Sequence, residues 1–156
     1  TGPKTTKSGD TQMPNKIQRG AAALAIGLGV ALFGAGAVAQ SPAAPEGATV
    51  YFISPQDGDK VPQTFKVQFG LSGMGVAPAG VDLPKTGHHH LLVDMAELPP
   101  PGKPMGKDIM HFGGGQTEGE VTLEPGEHTL QLMVGDKNHV PFDPPVVSEK
   151  ITVTVE

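Results

Sequence analysis

The sequence predicts an all-β domain built as an antiparallel sandwich, and three observations carry that expectation. Apolar and polar residues alternate in several short runs, the pattern of strands with one buried face. Turn-forming residues separate those runs, drawn from 22 Gly and 16 Pro in a chain of 156 residues. Past residue 39 no window sustains the apolar period of a helix.

Taken in order, the first element is a leader. Met13-Pro14-Asn15-Lys16-Ile17-Gln18-Arg19 is a basic opening, Ala21 to Val38 is uncharged and apolar, and Ala37-Val38-Ala39 is a small-x-small cleavage site. Together they read as a secretory signal peptide over 13–39, with the polar residues 1–12 standing ahead of its Met. An uncleaved anchor is the alternative, since a spanning helix needs about 20 apolar residues; the Ala and Gly content and the cleavage site favour removal. Residues 40–47 then read as a flexible Pro- and Ala-rich tether, and 48–156 as one β-sandwich domain. The expected location is outside the cytoplasm, in a periplasm or the exterior.

Within that domain Ala48 to Ser54 is the first expected strand, closed by Ser54-Pro55-Gln56-Asp57-Gly58, where Asp-Gly favours a tight turn. In Thr64 to Leu71, Phe65, Val67, Phe69 and Leu71 alternate with Lys66, Gln68 and Gly70, so one face is buried. Further strands are His89 to Met95, Gly119 to Leu123, Glu127 to Val134 behind the Pro125-Gly126 turn, and Val146 to Val155. This series is the pattern of an immunoglobulin-like sandwich without the Cys and Trp markers of antibody domains. Two connections are long and crowded with Gly and Pro, 72–86 and 96–118, and loops of that kind are commonly functional.

Composition narrows the function classes. Once the leader is gone the chain holds seven Lys, no Arg and fifteen carboxylates, against a net charge of −5 for the whole sequence. Nucleic acid is not expected as a partner, because phosphate binding needs clustered Lys and Arg. Strong association with anionic membranes after cleavage is disfavoured for the same reason, whereas a cation would be attracted. The absence of Cys removes disulfide restraint, thiolate catalysis and thiolate metal ligation together.

The stretch that carries chemistry is Gly87-His88-His89-His90-Leu91-Leu92-Val93-Asp94, with half of the chain's six histidines running into an apolar strand. Alternation puts His88 and His90 on one face with Leu92, and His89 on the other with Leu91 and Val93. Two imidazoles two apart on a strand have Cα atoms about 6.5 Å apart, a spacing that can chelate one ion. Further ligands must come from elsewhere, and His111 in His111-Phe112-Gly113-Gly114-Gly115 and His139 in Asp136-Lys137-Asn138-His139-Val140-Pro141 are the available donors. The expected metal site is therefore His88, His90, His111 and His139, with His89, Met74 and Met110 as lesser candidates. His128 shares its parity with Leu130, Leu132 and Val134 and reads as a residue at the edge of the core.

Imidazole suits copper, zinc and nickel, and a thioether biases a site towards Cu(I). Met74, Met105 and Met110 all lie in the two long loops, and Met110 adjoins His111, so copper is preferred over zinc. An enzyme is not expected. H-E-x-x-H, G-x-S-x-G and a phosphate-binding glycine loop are all missing, and a copper–zinc superoxide dismutase would need the Arg and the Cys pair that the mature chain lacks. Asp57 and Asp59 around Gly58 are turn residues rather than a calcium loop. The alternative to metal binding is an accessory or protein-interaction module, with a periplasmic protein partner, whose histidines bond local carbonyls or carboxylates such as Asp94 and Asp136.

A family resemblance covers nearly all of the expected domain. It is carried by Tyr51-Phe52-Ile53-Ser54-Pro55, by Phe69-Gly70-Leu71-Ser72-Gly73-Met74-Gly75, by the Gly87–Asp94 stretch, by His111-Phe112-Gly113-Gly114-Gly115-Gln116-Thr117, by Pro125-Gly126-Glu127-His128-Thr129-Leu130-Gln131-Leu132 and by Asn138-His139-Val140-Pro141. These segments resemble the bacterial exported family called domain of unknown function 4399. The resemblance implies a single exported domain and no assigned activity. Phe142 stands where a further His would have enriched the last loop in ligands.

Overall fold

Alternation along Thr64–Ser72 sets the first sheet: Phe65, Val67 and Phe69 are buried while their neighbours face outward. In the computed structural model, which describes residues 40–156, this strand is β3, flanked by β1 (Thr49–Ser54) and β7 (Glu118–Thr122) in the antiparallel order β1-β3-β7. The second sheet has the order β2-β9-β8-β5-β4, from Lys60–Val61, Ile151–Val155, Gly126–Gly135, Thr86–Val93 and Gly75–Val76, with β6 (Met110–His111) also paired to β5. Val50 and Val121 join the three β3 residues in packing against Leu91, Leu130, Leu132, Val134 and Val153 of the second sheet. The result is the expected immunoglobulin-like β-sandwich. Its long pairings are antiparallel, and two-residue parallel contacts join β2 to β9 and β4 to β5. Among the described residues no helix is long and apolar enough to cross a membrane. The expected signal peptide and the residues ahead of it, 1–39, lie outside the described residues.

Several expected boundaries move, each for a local reason. The last strand, expected from Val146, starts at Ile151. Residues 146–148 still run beside β8, with Val134 N–H donating to Val146 O, yet the Ser148 hydroxyl captures the Leu132 N–H at 2.9 Å and interrupts the ladder. The strands β2, β4 and β6 are two residues each, too short for alternation to register. Residues 41–44, expected as a tether, are held at three points. Ala44 N–H donates to Asp143 O, Asp143 N–H donates to Pro42 O, and Gly102 N–H donates to the Ser41 hydroxyl.

The feature that positions the site is that β5 is buried on both faces. Its inner face, His89, Leu91 and Val93, lies opposite Val134, Leu132 and Leu130 of β8 and points into the sandwich. Its outer face, His88, His90 and Leu92, lies opposite Gly135, Met133 and Gln131. In an ordinary sandwich the outer face would meet water. Here the connection from Met95 to Ile109 folds across it, and Leu92, Ile109 and Met133 form a second small core with Met95, Met105 and Val147.

Candidate metal centre

Two buried imidazoles and one half-buried imidazole, His88, His90 and His139, converge under that cover, and the exposed His111 stands at its edge. His88 and His90 project from β5 with ring centroids 4.5 Å apart. His111, the cross-strand partner of His90 on β6, shares its face, with centroids 6.1 Å apart. His139 arrives from the turn after β8, at 4.8 Å from His88, 5.7 Å from His90 and 5.2 Å from His111. One ring nitrogen from each of His88, His90 and His139 lies within 4.8 Å of the others. Ligands on a tetrahedral ion at about 2.0–2.1 Å stand about 3.3 Å apart, so shortening the widest of these separations by about 1.5 Å brings all three onto one ion.

Local chemistry explains the position of His139. Asp136 Oδ1 accepts hydrogen bonds from the N–H groups of Asn138 and Val140, and His139 N–H donates to Asp136 O, closing a tight turn. The turn holds His139 at φ 63, a left-handed conformation that costs about 1–2 kcal/mol for a residue with a Cβ. Strain of this kind persists where the surrounding structure imposes it. Gly135, facing His88, makes room for the neighbouring groups: a Cβ there would lie 2.6 Å from Met105 Cε and 2.8 Å from His90 Cε1.

The hydrogen bonding of the rings is largely unmet. His88 Nε2 and His139 Nδ1 are 3.0 Å apart and share one hydrogen bond. His88 Nδ1 and both nitrogens of His90 are buried with no hydrogen-bond partner among the described residues. An unmatched buried polar group costs about 1–3 kcal/mol. Burial lowers His88 from 6.5 to about 4, helped by His139 and His111 beside it and opposed by Asp136. Burial likewise lowers His90 to about 3, helped by His88, His139 and His111. Both rings are therefore neutral near pH 7, the state in which imidazole ligates metals. An all-imidazole donor set led by the buried, neutral His88 and His90 fits a borderline transition-metal ion, and their orphaned nitrogens are what such an ion would satisfy.

The remaining expected residues fall elsewhere. His89 points the opposite way, into the main core, where its ring lies 4.4 Å from Phe69. Burial lowers it to about 4, offset in part by the nearby Gln116 main chain, which lies close without completing a well-formed hydrogen bond to either ring nitrogen. Met110 follows the parity of Leu91 and so turns away from the ring of His111. Met74 packs against the main core. Asp94 and Asp136 accept no hydrogen bond from the converging rings: Asp94 serves His128 and Thr129, and Asp136 serves the turn. His128 sits at the rim of the core, hydrogen-bonded to Asp94 Oδ2 at 2.7 Å and Glu124 O at 2.9 Å. Of the loop methionines Met74, Met105 and Met110, the one that lines the site is Met105, while Met133, the cross-strand partner of His90, is packed in the second small core. With His90, Lys107, Ile109, His111 and His139, Met105 lines a cavity of about 290 Å³. A larger hollow of about 490 Å³, bordered by Pro42–Pro45 and Val81–Thr86, contains no histidine.

Fold and site together define a β-sandwich carrying a buried histidine cluster outside its main core. A family model described as Domain of unknown function (DUF4399) matches residues 67–156, and the chain belongs to that family. The match takes in all four converging histidines. Among solved structures the chain is similar to an endo-beta-1,4-mannanase from Thermotoga petrophila, with 18% identity, a TM-score of 0.42, and coverage of 70% of this chain and 20% of that one. It is also similar to fibronectin(III)-like modules of Clostridium thermocellum CbhA, with 16% identity, a TM-score of 0.35, and coverage of 69% and 93%. The chain thus spans about a fifth of the mannanase. No curated protein matches it.

Proposed function

We propose that this protein is an exported, non-catalytic holder of a transition-metal ion, copper in preference to zinc, bound by His88, His90 and His139 with His111 at the mouth. The observation that carries this reading is the convergence of one ring nitrogen from each of His88, His90 and His139 within 4.8 Å, on rings of which His88 and His90 keep buried nitrogens without partners. Export rests on the leader pattern of residues 13–39, and the cation preference on the acidic balance of residues 40–156. Copper is favoured because Cu(II) stands above Zn(II) in affinity for a given set of nitrogen donors.

The rival is an interaction module whose histidines only fasten loops. The His88–His139 hydrogen bond favours it, but that bond accounts for one nitrogen on each ring and leaves three buried nitrogens of His88 and His90 unmatched. Isothermal titration with Cu(II) and Zn(II), beside a His88→Ala/His90→Ala double variant, separates the two. Tight 1:1 uptake that the double variant loses is expected, with copper the tighter ion. Equal weak uptake by both proteins overturns the metal reading.

A further inference from the structure

Beyond the imidazoles, the covering segment brings a soft donor to the same place. Met105 N–H donates to His139 O at 2.8 Å, which pins the segment to the turn that carries a ligand. The Met105 side chain then enters the second small core, lines the cavity shared by His90, His111 and His139, and ends with its methyl group beside the His90 ring in the space left by Gly135. A side chain at Gly135 would collide with Met105 Cε and His90 Cε1 together, so these two groups occupy one common space. The Met105 residue is half-buried, and the exposed Lys107 lines the same cavity. We infer that Met105 supplies a thioether ligand that makes this a Cu(I) site, with His88, His90 and His139 as the nitrogen donors and the 95–109 segment as the arm that delivers the sulfur.

The chemistry follows from donor softness. Thioether sulfur bonds Cu(I) well and contributes little to Zn(II), whereas neutral imidazole serves both. A mixed imidazole–thioether set with no thiolate or carboxylate therefore discriminates between oxidation states and between metals. The binding step is simple ligation of Cu(I), with no change of redox state and no bond broken in the protein. Met105 differs from Met110 and Met74 in this respect, because it alone of the three shares the cavity with the histidines.

This inference rests on the metal reading, and the experiment separates their failures. Cu(I) affinity is measured under reducing, anaerobic conditions by competition with bicinchoninate, for the wild type and Met105→Leu, with Zn(II) titrated in parallel. Met105→Leu is expected to lose about 10- to 100-fold in Cu(I) affinity, the range seen when a supporting group of a metal site is removed, with Zn(II) affinity within about threefold of wild type. X-ray absorption of the Cu(I)-loaded wild type is expected to show a sulfur neighbour beside nitrogens. Unchanged Cu(I) affinity in Met105→Leu, or a copper environment of nitrogen alone in the wild type, overturns the thioether proposal and leaves the histidine site standing. Absence of any metal uptake by the wild type overturns both. Because the absorption spectrum is read on the wild type, poor folding of the variant would not rescue the idea.

Discussion

The two ends of the β5–β8 pair hold histidines in opposite physical states. At one end His128 and Asp94 form a solvated ion pair, with side chains 17% and 50% exposed. Burial works to raise the Asp94 carboxyl, but hydrogen bonds from His128 and Thr129 outweigh it and hold it below its ordinary value. The hydrogen bond to Asp94, then that to Glu124 O, raises His128. At the other end His88 and His90 are buried, with three of their four ring nitrogens unpartnered, and pushed far down. Every polar demand is met at the first end and most are unmet at the second. A histidine at the rim of a strand pair accordingly acts as a modest clamp, whereas buried ones without partners make sense as ligands for something brought in.

Acid should break the comparison most forcefully. In the unfolded chain each imidazole takes a proton near pH 6.5, while His88 and His89 in the fold resist until about 4 and His90 until about 3. Between those values the unfolded state binds more protons, so stability falls as pH falls from 6.5, by about 1.4 kcal/mol per pH unit for each ring and about 4 kcal/mol per unit for the three together. The sign is opposite for His128, whose contribution is present below 6.5 and fades as pH rises through its raised value. Being solvated, that pair contributes below about 1 kcal/mol. Urea unfolding at pH 7, 6 and 5 reads the slope, and a flat profile over that range would contradict neutral burial of the trio.

Metal should come next. Saturating the site at a hundredfold excess over its Kd stabilises the fold by about 2.7 kcal/mol, visible as a rise in Tm that His90→Ala abolishes and His128→Gln leaves intact. Equal protection of both variants would place the ion elsewhere. Gly135→Ala sharpens the same point, since the added methyl group crowds Met105 and His90 together. It should weaken metal uptake about tenfold or more while the protein stays folded by circular dichroism.

His89 offers a test of smaller size. Its nitrogens have no partner and its neighbours are aromatic and aliphatic, so His89→Leu should stabilise the protein by about 1–2 kcal/mol, flatten part of the acid slope and leave metal affinity unchanged in titration. A loss of metal binding would mean that the ring reaches across the sheet. The smallest effect belongs to Asp94→Asn, which removes an exposed charge pair and should cost about 0.5–1 kcal/mol at pH 6 and less at pH 9, measured by chemical denaturation.

The sandwich was readable because β3 and β9 alternate cleanly, as Phe65, Val67 and Phe69 show for β3. The convergence of His88, His90, His111 and His139 was readable as a possibility from strand parity and from the two long loops. Which parity of β5 faced inward was not, because a strand buried on both sides carries leucines at 91 and 92 alike. That double burial depends on residues 95–109 folding back, an event encoded in scattered contacts of Met95, Met105 and Ile109 rather than in any period. Met105 was visible only as one of three loop methionines. Parity could have demoted Met110, since adjacent residues of an extended segment point to opposite sides and His111 already takes one of them.

One consequence of the two short strands on the far edge of β5 concerns solubility. β4 covers Thr86 and Gly87, β6 covers His90 and Leu91, and Phe112 N–H reaches His89 O, so the strand that carries the triple histidine offers little unpaired backbone to a passing chain. Without Met110–Phe112 the backbone of His89–Leu91 would stand unpaired on that side, the kind of open strand edge on which another chain can pair. Two residues of β6 thus serve as a guard against self-association.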